Sequence, residues 1–375
     1  MKRLIAALIL LCMLLSLCAC GKTEEPVAPA APAEETLDLA FGGLEDFTSE
    51  EELDENPDRA ITRGTEPIYQ SVSAQLDGTW LTPEFYFYRE TLTDEYKQAY
   101  DVLRAGIMNA DETINMTVPV LKEDAMSLYK AVLYDSPEIF WIDCKFKVST
   151  NNYGQVTKIK PVYNELAKDI EGNMKKIEEA VAQPLADMWS LKTDIEKVKY
   201  AHDYLTKLLS YDVNAAYNQT IYSTFVNKVT VCAGYSHGFQ YMMQKMGIPC
   251  AFVVGYAGEK HAWSLVKIDG EYYSMDVTWD DPRNGKENTW YYTYFNLTDE
   301  AIGKDHTRQD ASTKLPAATG TKMSYANYFG GKANGTDFAS IHGELPEGYG
   351  GKGGFIGKPE ETTVDTTGNP YLPSN

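Results

Sequence analysis

Basic charge is scarce in this 375-residue chain: 34 lysines and arginines stand against 54 aspartates and glutamates, a net of −20. Nucleic-acid binding rests on neutralising phosphates, so that class of partner is excluded. No long basic arm or basic amphipathic helix makes an exception. Cysteine is scarce too, with six in all and no C-x-x-C pair, which argues against a zinc knuckle or a dithiol redox motif. Past residue 20 only Cys144, Cys232 and Cys250 remain, an odd number, so at least one is free. A Cys144–Cys250 bridge stays open, although Cys250, in the apolar run "PCAFVVGY", reads as a small buried hydrophobe. Asp276, Asp280 and Asp281 lack the spacing of a calcium loop and read as acidic turn residues. No cofactor or metal is expected. Long apolar runs are also missing, apart from Leu4 to Leu17, which is too short for a membrane span.

That run follows Lys2 and Arg3 and precedes "LCAC", the layout of a secretory signal. Leu17-Cys18-Ala19-Cys20 resembles the bacterial lipoprotein box, which implies a signal over residues 1–19 and a lipid on Cys20. The expected address is extracytoplasmic, at the membrane. Residues 20–66, rich in Pro, Ala and Glu, bury too little apolar surface to offset chain entropy and are expected to form a disordered tether. Residues 331–375, rich in Gly, Pro and Thr, are expected to be a disordered tail. The apolar periodicity between them suffices for one large domain or two small ones.

Within 67–185 the pattern predicts a helical and β-hairpin part. "EFYFYRETL" (84–92) alternates like a short strand. Residues 93–107 form a helix capped by Thr93, and 121–135 a second, stopped by Ser136-Pro137. "EIFWIDCKFKVS", "NNYG" and "QVTKIKPVYN" read as strand, turn, strand. A helix from Glu165 is interrupted by Pro184. Thr193-Asp194-Ile195-Glu196 is a capping box opening a helix to about Leu209, within which His202 reads as a packed residue.

Chemistry concentrates in 186–330. In "TVCAGYSHGFQYMMQKMGIPC" a helix begins at Cys232 and stops at Gly247, with Pro249 beyond. Gly234 and Gly238 give it a small face that admits another backbone. A helix start favours a thiolate, and its unpartnered N–H groups can stabilise an oxyanion. Three strands follow, with turns at Gly258 and Asp269-Gly270. The second hairpin sets His261, which starts one strand, beside Asp276, which ends the next. Nucleophile, base and orienter are then within one arrangement: Cys232, His261 and Asp276. Trp279, Trp290, Tyr291, Tyr292, Tyr294 and Phe295 read as core rather than as a substrate wall. His237 and Asp305-His306 read as structural.

The segments "TVCAGYSHGFQYMMQKMGIPC", "GEKHAWSLVKIDGEYYSMDVTWDDP" and "YFNLTDE" resemble the bacterial transglutaminase-like domain family, kin to transglutaminases and papain-like cysteine proteases. The resemblance covers roughly residues 195–310 and departs at Ser264, where many members have Asn. It implies an α+β fold, with a helical N-terminal part and a papain-like core whose Cys helix packs on an antiparallel sheet. It implies Cys232 as nucleophile, His261 as general base and Asp276 as orienter, acting on a protein or peptide substrate; the extracytoplasmic address makes a cell-wall peptide a reasonable one. Acyl transfer through a thioester would end in hydrolysis more readily than in crosslinking. The alternatives are a true crosslinking transglutaminase or a non-catalytic surface binding module on the same fold.

Overall fold

The computed structural model describes residues 44–61, 82–281 and 292–330. The expected signal, Cys20 and the tail from 331 lie outside these residues, as do Trp290 and Tyr291. The first element corrects the tether as read from sequence. Thr48–Leu53 (β1) is a strand paired in parallel with residues 145–150. Its acids do not simply repel one another. Glu51 accepts from Thr150 Oγ1, Glu52 from Ser149 Oγ and from Lys160 Nζ. Phe47, just before it, sits edge-on to Tyr129 and Tyr134.

A second correction concerns 84–92. Phe87–Glu90 (α1) is a helical turn, not a strand. The cause is the buried Asp135 carboxylate, which accepts the N–H groups of Tyr88 (3.0 Å) and Arg89 (2.9 Å) and so curls the chain. Asp94–Met108 (α2) follows the Thr93 cap, then Ile114–Asn115 (β2) and Ala125–Asp135 (α3). Ile142–Thr150 (β3) and Val156–Tyr163 (β4) form the expected hairpin, and the first sheet runs β1-β3-β4-β2.

Ile170–Ser190 (α4) continues through Pro184 rather than breaking there. A proline removes one donor and strains the turn before it, but Ile177, Val181, Leu185 and Met188 bury one face along the whole helix. Asp194–Leu208 (α5) begins on a complete Thr193–Glu196 capping box. Ser210–Tyr211 (β5) pairs in parallel with Val229–Thr230 (β6). Cys232–Lys245 (α6) ends before Gly247, whose φ of 71° explains the glycine.

Cys250–Tyr256 (β7), Lys260–Ile268 (β8) and Glu271–Met275 (β9) make an antiparallel meander. Two short helices, Val277–Asp280 (α7) and Asp299–Ile302 (α8), precede Thr307–Arg308 (β10), and Tyr325–Phe329 (α9) closes the described chain. The second sheet runs β10-β7-β8-β9, and α6 packs across β7 and β8. The fold is α+β, as expected. Among the described residues no helix is long and apolar enough to cross a membrane.

Candidate functional site

Cys232 is the first residue of α6, and the residue before it, Val231, is extended and gives no side-chain cap. The N–H groups at this end therefore have no side-chain cap from that residue. A buried hydroxyl ledge supports the first turn. Thr230 Oγ1 donates to the Asn218 carbonyl (2.7 Å) and lies 2.7 Å from Ser223 Oγ. Thr224 Oγ1 donates to the Gly234 carbonyl at 2.7 Å. Gly234 is needed here because a Cβ would fall 1.8 Å from Thr230 Oγ1. The small face read from the sequence thus meets threonine side chains.

The β8–β9 hairpin turns at Asp269 and Gly270, both at positive φ (50° and 84°), the pattern of a two-residue primed turn. Its ladder ends at Ser264 opposite Met275. Asp276 then leaves the sheet and caps α7, its Oδ1 accepting from Thr278 N (2.9 Å) and Trp279 N (3.1 Å). Its Oδ2 is left for histidine and lies 2.7 Å from His261 Nε2. Both side chains are buried. With Nε2 engaged, Nδ1 is the nitrogen left to face Cys232, which lies near enough to act electrostatically on the His261 ring. Burial works against charge on His261, but the Asp276 carboxylate, then Cys232, push it up to about 10. Burial likewise works against charge on Asp276, and His261 and His306 still hold it well below the ordinary carboxylate range.

His306, read from the sequence as structural, is brought to the site by the fold. Its Nε2 lies 3.0 Å from the same Asp276 Oδ2, and its Nδ1 lies 2.6 Å from Asp305 Oδ1. The neighbourhood arises from pairing: β7 carries β8 on one side and β10 on the other, so Gly255 is opposite both His261 and Arg308. A Cβ at Gly255 would lie 2.1 Å from the Thr307 carbonyl oxygen and 2.5 Å from the Trp263 ring. Only a residue without one lets the two strands close in. No local signal in "KDHTRQD" announces this, because the contact spans 30 residues and depends on sheet order.

The rings of Trp263 and Trp279 pack around the two histidines, with Trp279 4.5 Å from His306 and 5.7 Å from His261. Tyr292 and Phe295 are buried, in keeping with a core role. His237 stacks on Phe252 at 4.0 Å, and burial pushes it down to about 4. His202 is buried between Asp203 Oδ1 (3.0 Å) and Asp280 Oδ2 (3.1 Å), tying α5 to α7. Asp281 accepts from the Tyr235 hydroxyl. Asp280 and Asp281 are thus structural partners. All three described cysteines are free thiols, so Cys144 and Cys250 are not bridged. Among the described residues His261, Asp276 and His306 bring three possible metal-ligand atoms together. Both imidazole Nε2 atoms are already hydrogen-bonded to Asp276, so this set reads as a hydrogen-bonded chain.

Residues 180–277 match the model of the transglutaminase-like superfamily. The kyphoscoliosis peptidases of Mus musculus and Homo sapiens are each 28% identical to this chain over 132 residues, 29% of this chain. The chain spans 20% of the length of either. A solved structure of a TGase is 14% identical, covering 36% of this chain and 44% of its own, with a TM-score of 0.27.

Proposed function

From a chain that carries a transglutaminase-like superfamily domain, we propose a cysteine-dependent acyl transfer on peptide amides, ending in hydrolysis. The observation that carries the reading is the buried His261 bound through Nε2 to the Asp276 carboxylate, beside Cys232 at the start of α6. In the proposed cycle His261 Nδ1 takes the thiol proton. The Cys232 sulfur then attacks the amide carbon, and the carbonyl π pair moves to oxygen. On collapse the C–N bond breaks, the leaving amine takes the proton from His261, and a thioester remains. Water, losing a proton to His261, attacks that thioester, the acid departs, and the proton returns to sulfur. Asp276 keeps the imidazole oriented and offsets its positive charge.

Hydrolysis is preferred over amine transfer because water needs no bound acceptor, whereas an amine must be held near the thioester to outcompete it. The N-terminal box supports a lipid on Cys20 and an extracytoplasmic address at the membrane. From that address, surface proteins and cell-wall peptides are the proposed substrates. The test is to offer the purified protein a glutamine-containing protein with a labelled primary amine, alongside peptide and cell-wall hydrolysis assays. Hydrolysis lost in Cys232→Ala is expected. Amine incorporation that depends on Cys232 would replace the hydrolytic reading with crosslinking. Inactivity throughout, with Cys232 no more reactive than Cys144 or Cys250, would favour a binding module.

A further inference from the structure

The acyl-transfer reading depends on where the Asp276 carboxylate points, and Asp276 opens a helix of a single turn. We propose that His202 is a positioning residue for that carboxylate, fixing the far end of α7 through Asp280. The inference rests on the proposed function but concerns a residue that function does not use.

One helical turn is too short to hold its own direction, so α7 points where its ends are gripped. At the first end, Asp276 Oδ1 accepts from Thr278 N and Trp279 N, which makes the carboxylate and the turn one body. Any tilt of α7 then passes to Oδ2 and its 2.7 Å contact with His261. At the far end, Asp280 N donates to the Asp276 carbonyl at 3.2 Å and closes the turn. Asp280 Oδ1 accepts from Tyr294 N at 2.9 Å, and its Oδ2 lies 3.1 Å from His202 Nε2. Tyr294 belongs to a turn segment, whereas His202 comes from the middle of the 15-residue α5. With Asp281 accepting from Tyr235 of α6, α7 is slung between α5 and the Cys helix.

His202 is itself firmly held. Its Nδ1 lies 3.0 Å from Asp203 Oδ1, which also accepts from the Tyr292 hydroxyl at 3.0 Å. Lys199 Nζ donates to Asp203 Oδ2 at 2.5 Å. The ring stacks on Tyr292 with centroids 5.2 Å apart and sits edge-on to Phe295 at 5.3 Å. His202 is 1% exposed and Asp280 0%, so water cannot replace the bond between them. Burial works against charge on the ring, but Asp203 and then Asp280 raise its pKa above the ordinary value. Burial pushes Asp280 up to about 7, and the bond survives whichever of the two holds the proton. A misplacement of about 1 Å in a group that orients a base can cost about 10²-fold, which is what this tie prevents at Asp276.

The experiment separates the two bonds of the ring. His202→Gln puts an amide N–H where Nε2 stands and keeps the tie to Asp280. His202→Asn puts it where Nδ1 stands and keeps only the bond to Asp203. Both lose the ring's packing, so a role confined to α5 or the core would treat them alike or favour Asn. Iodoacetamide labelling of Cys232 is read at about pH 6.5, where an ordinary thiol is almost wholly protonated and reaction depends on His261. His202→Gln should label within about threefold of wild type and His202→Asn about tenfold more slowly, the worth of one hydrogen bond to a charged group. The gap should close at about pH 9.5, where a thiol ionises without a base. It should also vanish beside Asp276→Asn, because the tie then has no carboxylate to aim. Equal rates for the two variants, a faster Asn variant, or a gap undiminished beside Asp276→Asn overturns the proposal. If neither variant folds, Asp280→Ala cuts the same tie from the other side and should slow labelling about tenfold; an unchanged rate there overturns it. Failure of the acyl-transfer reading has a separate signature, namely wild-type labelling that is unaffected by His261→Ala.

Discussion

At the residue scale the site is a line of hydrogen bonds from His261 through Asp276 and His306 to Asp305, with Cys232 beside the His261 ring. Asp276 is its centre, since one oxygen serves the α7 backbone and the other serves both imidazoles. Replacing it by Asn should leave the α7 cap nearly intact but present an amide to His261. Cys232-dependent turnover should then fall by up to about 10⁴, measurable alongside iodoacetamide labelling. His306 acts through Asp276 and is a positioning residue. His306→Ala should slow labelling about tenfold, the worth of one hydrogen bond to a charged group, and His306→Gln should restore part of it. A purely packing role would lower the melting temperature without changing the labelling rate. The His261 shift also predicts a pH dependence of stability. Its folded pKa, about 10, lies above the ordinary 6.5, so its contribution is complete below 6.5 and is lost as pH rises through 10. Thermal melts of His261→Ala should show a smaller decline across that window than wild type.

At the scale of elements, α6 is set by contact and α5 by its own ends. Gly234→Ala would drive a Cβ into Thr230, and Thr230 is too firmly bonded to yield. Overpacking of this kind costs about 1–3 kcal/mol. Because the first turn of α6 must shift, Cys232 labelling should slow as well. Thr193→Ala removes the α5 capping box and should cost about 1 kcal/mol, read by denaturant unfolding, with labelling unchanged. The contrast separates a helix start whose position matters to the site from one whose stability alone matters. The same distinction explains Pro184, where the buried stripe of α4 outweighs a local preference to stop.

At the scale of the whole molecule, the acidic segment before the domain is part of the domain. Lys260 pairs with Asp46, Phe47 packs on Tyr129 and Tyr134, and β1 covers the β3 edge. Deleting residues 44–53 should lower the melting temperature and expose an unpaired edge prone to association, checked by calorimetry and light scattering. The proposed anchoring is tested independently: Cys20→Ala should release the protein from membranes or block its maturation. Retention in the membrane fraction with the usual processing would discard the lipid.

The sequence by itself determined what depends on neighbours along the chain. The capping box at Thr193, the stop at Gly247, the Asp269-Gly270 turn and the two hairpins are local, and their chemistry is written in a few adjacent residues. The meeting of His261 with Asp276 belongs only half to this class: one tight turn sets the register as far as Ser264 and Met275, and Asp276 then leaves the sheet to cap α7 and bond His261. Tertiary structure alone decided what depends on partners far along the chain. Residues 84–92 coil because Asp135 captures two of their N–H groups. The acids of β1 settle because β3 and β4 supply hydroxyls and two lysines, Lys147 and Lys160. His306 reaches Asp276 because β10 and β8 flank the same strand, and Tyr211 comes to lie opposite Thr230 through two backbone hydrogen bonds of a parallel pair. In each case the deciding partner lies too far along the sequence for periodicity or propensity to register it.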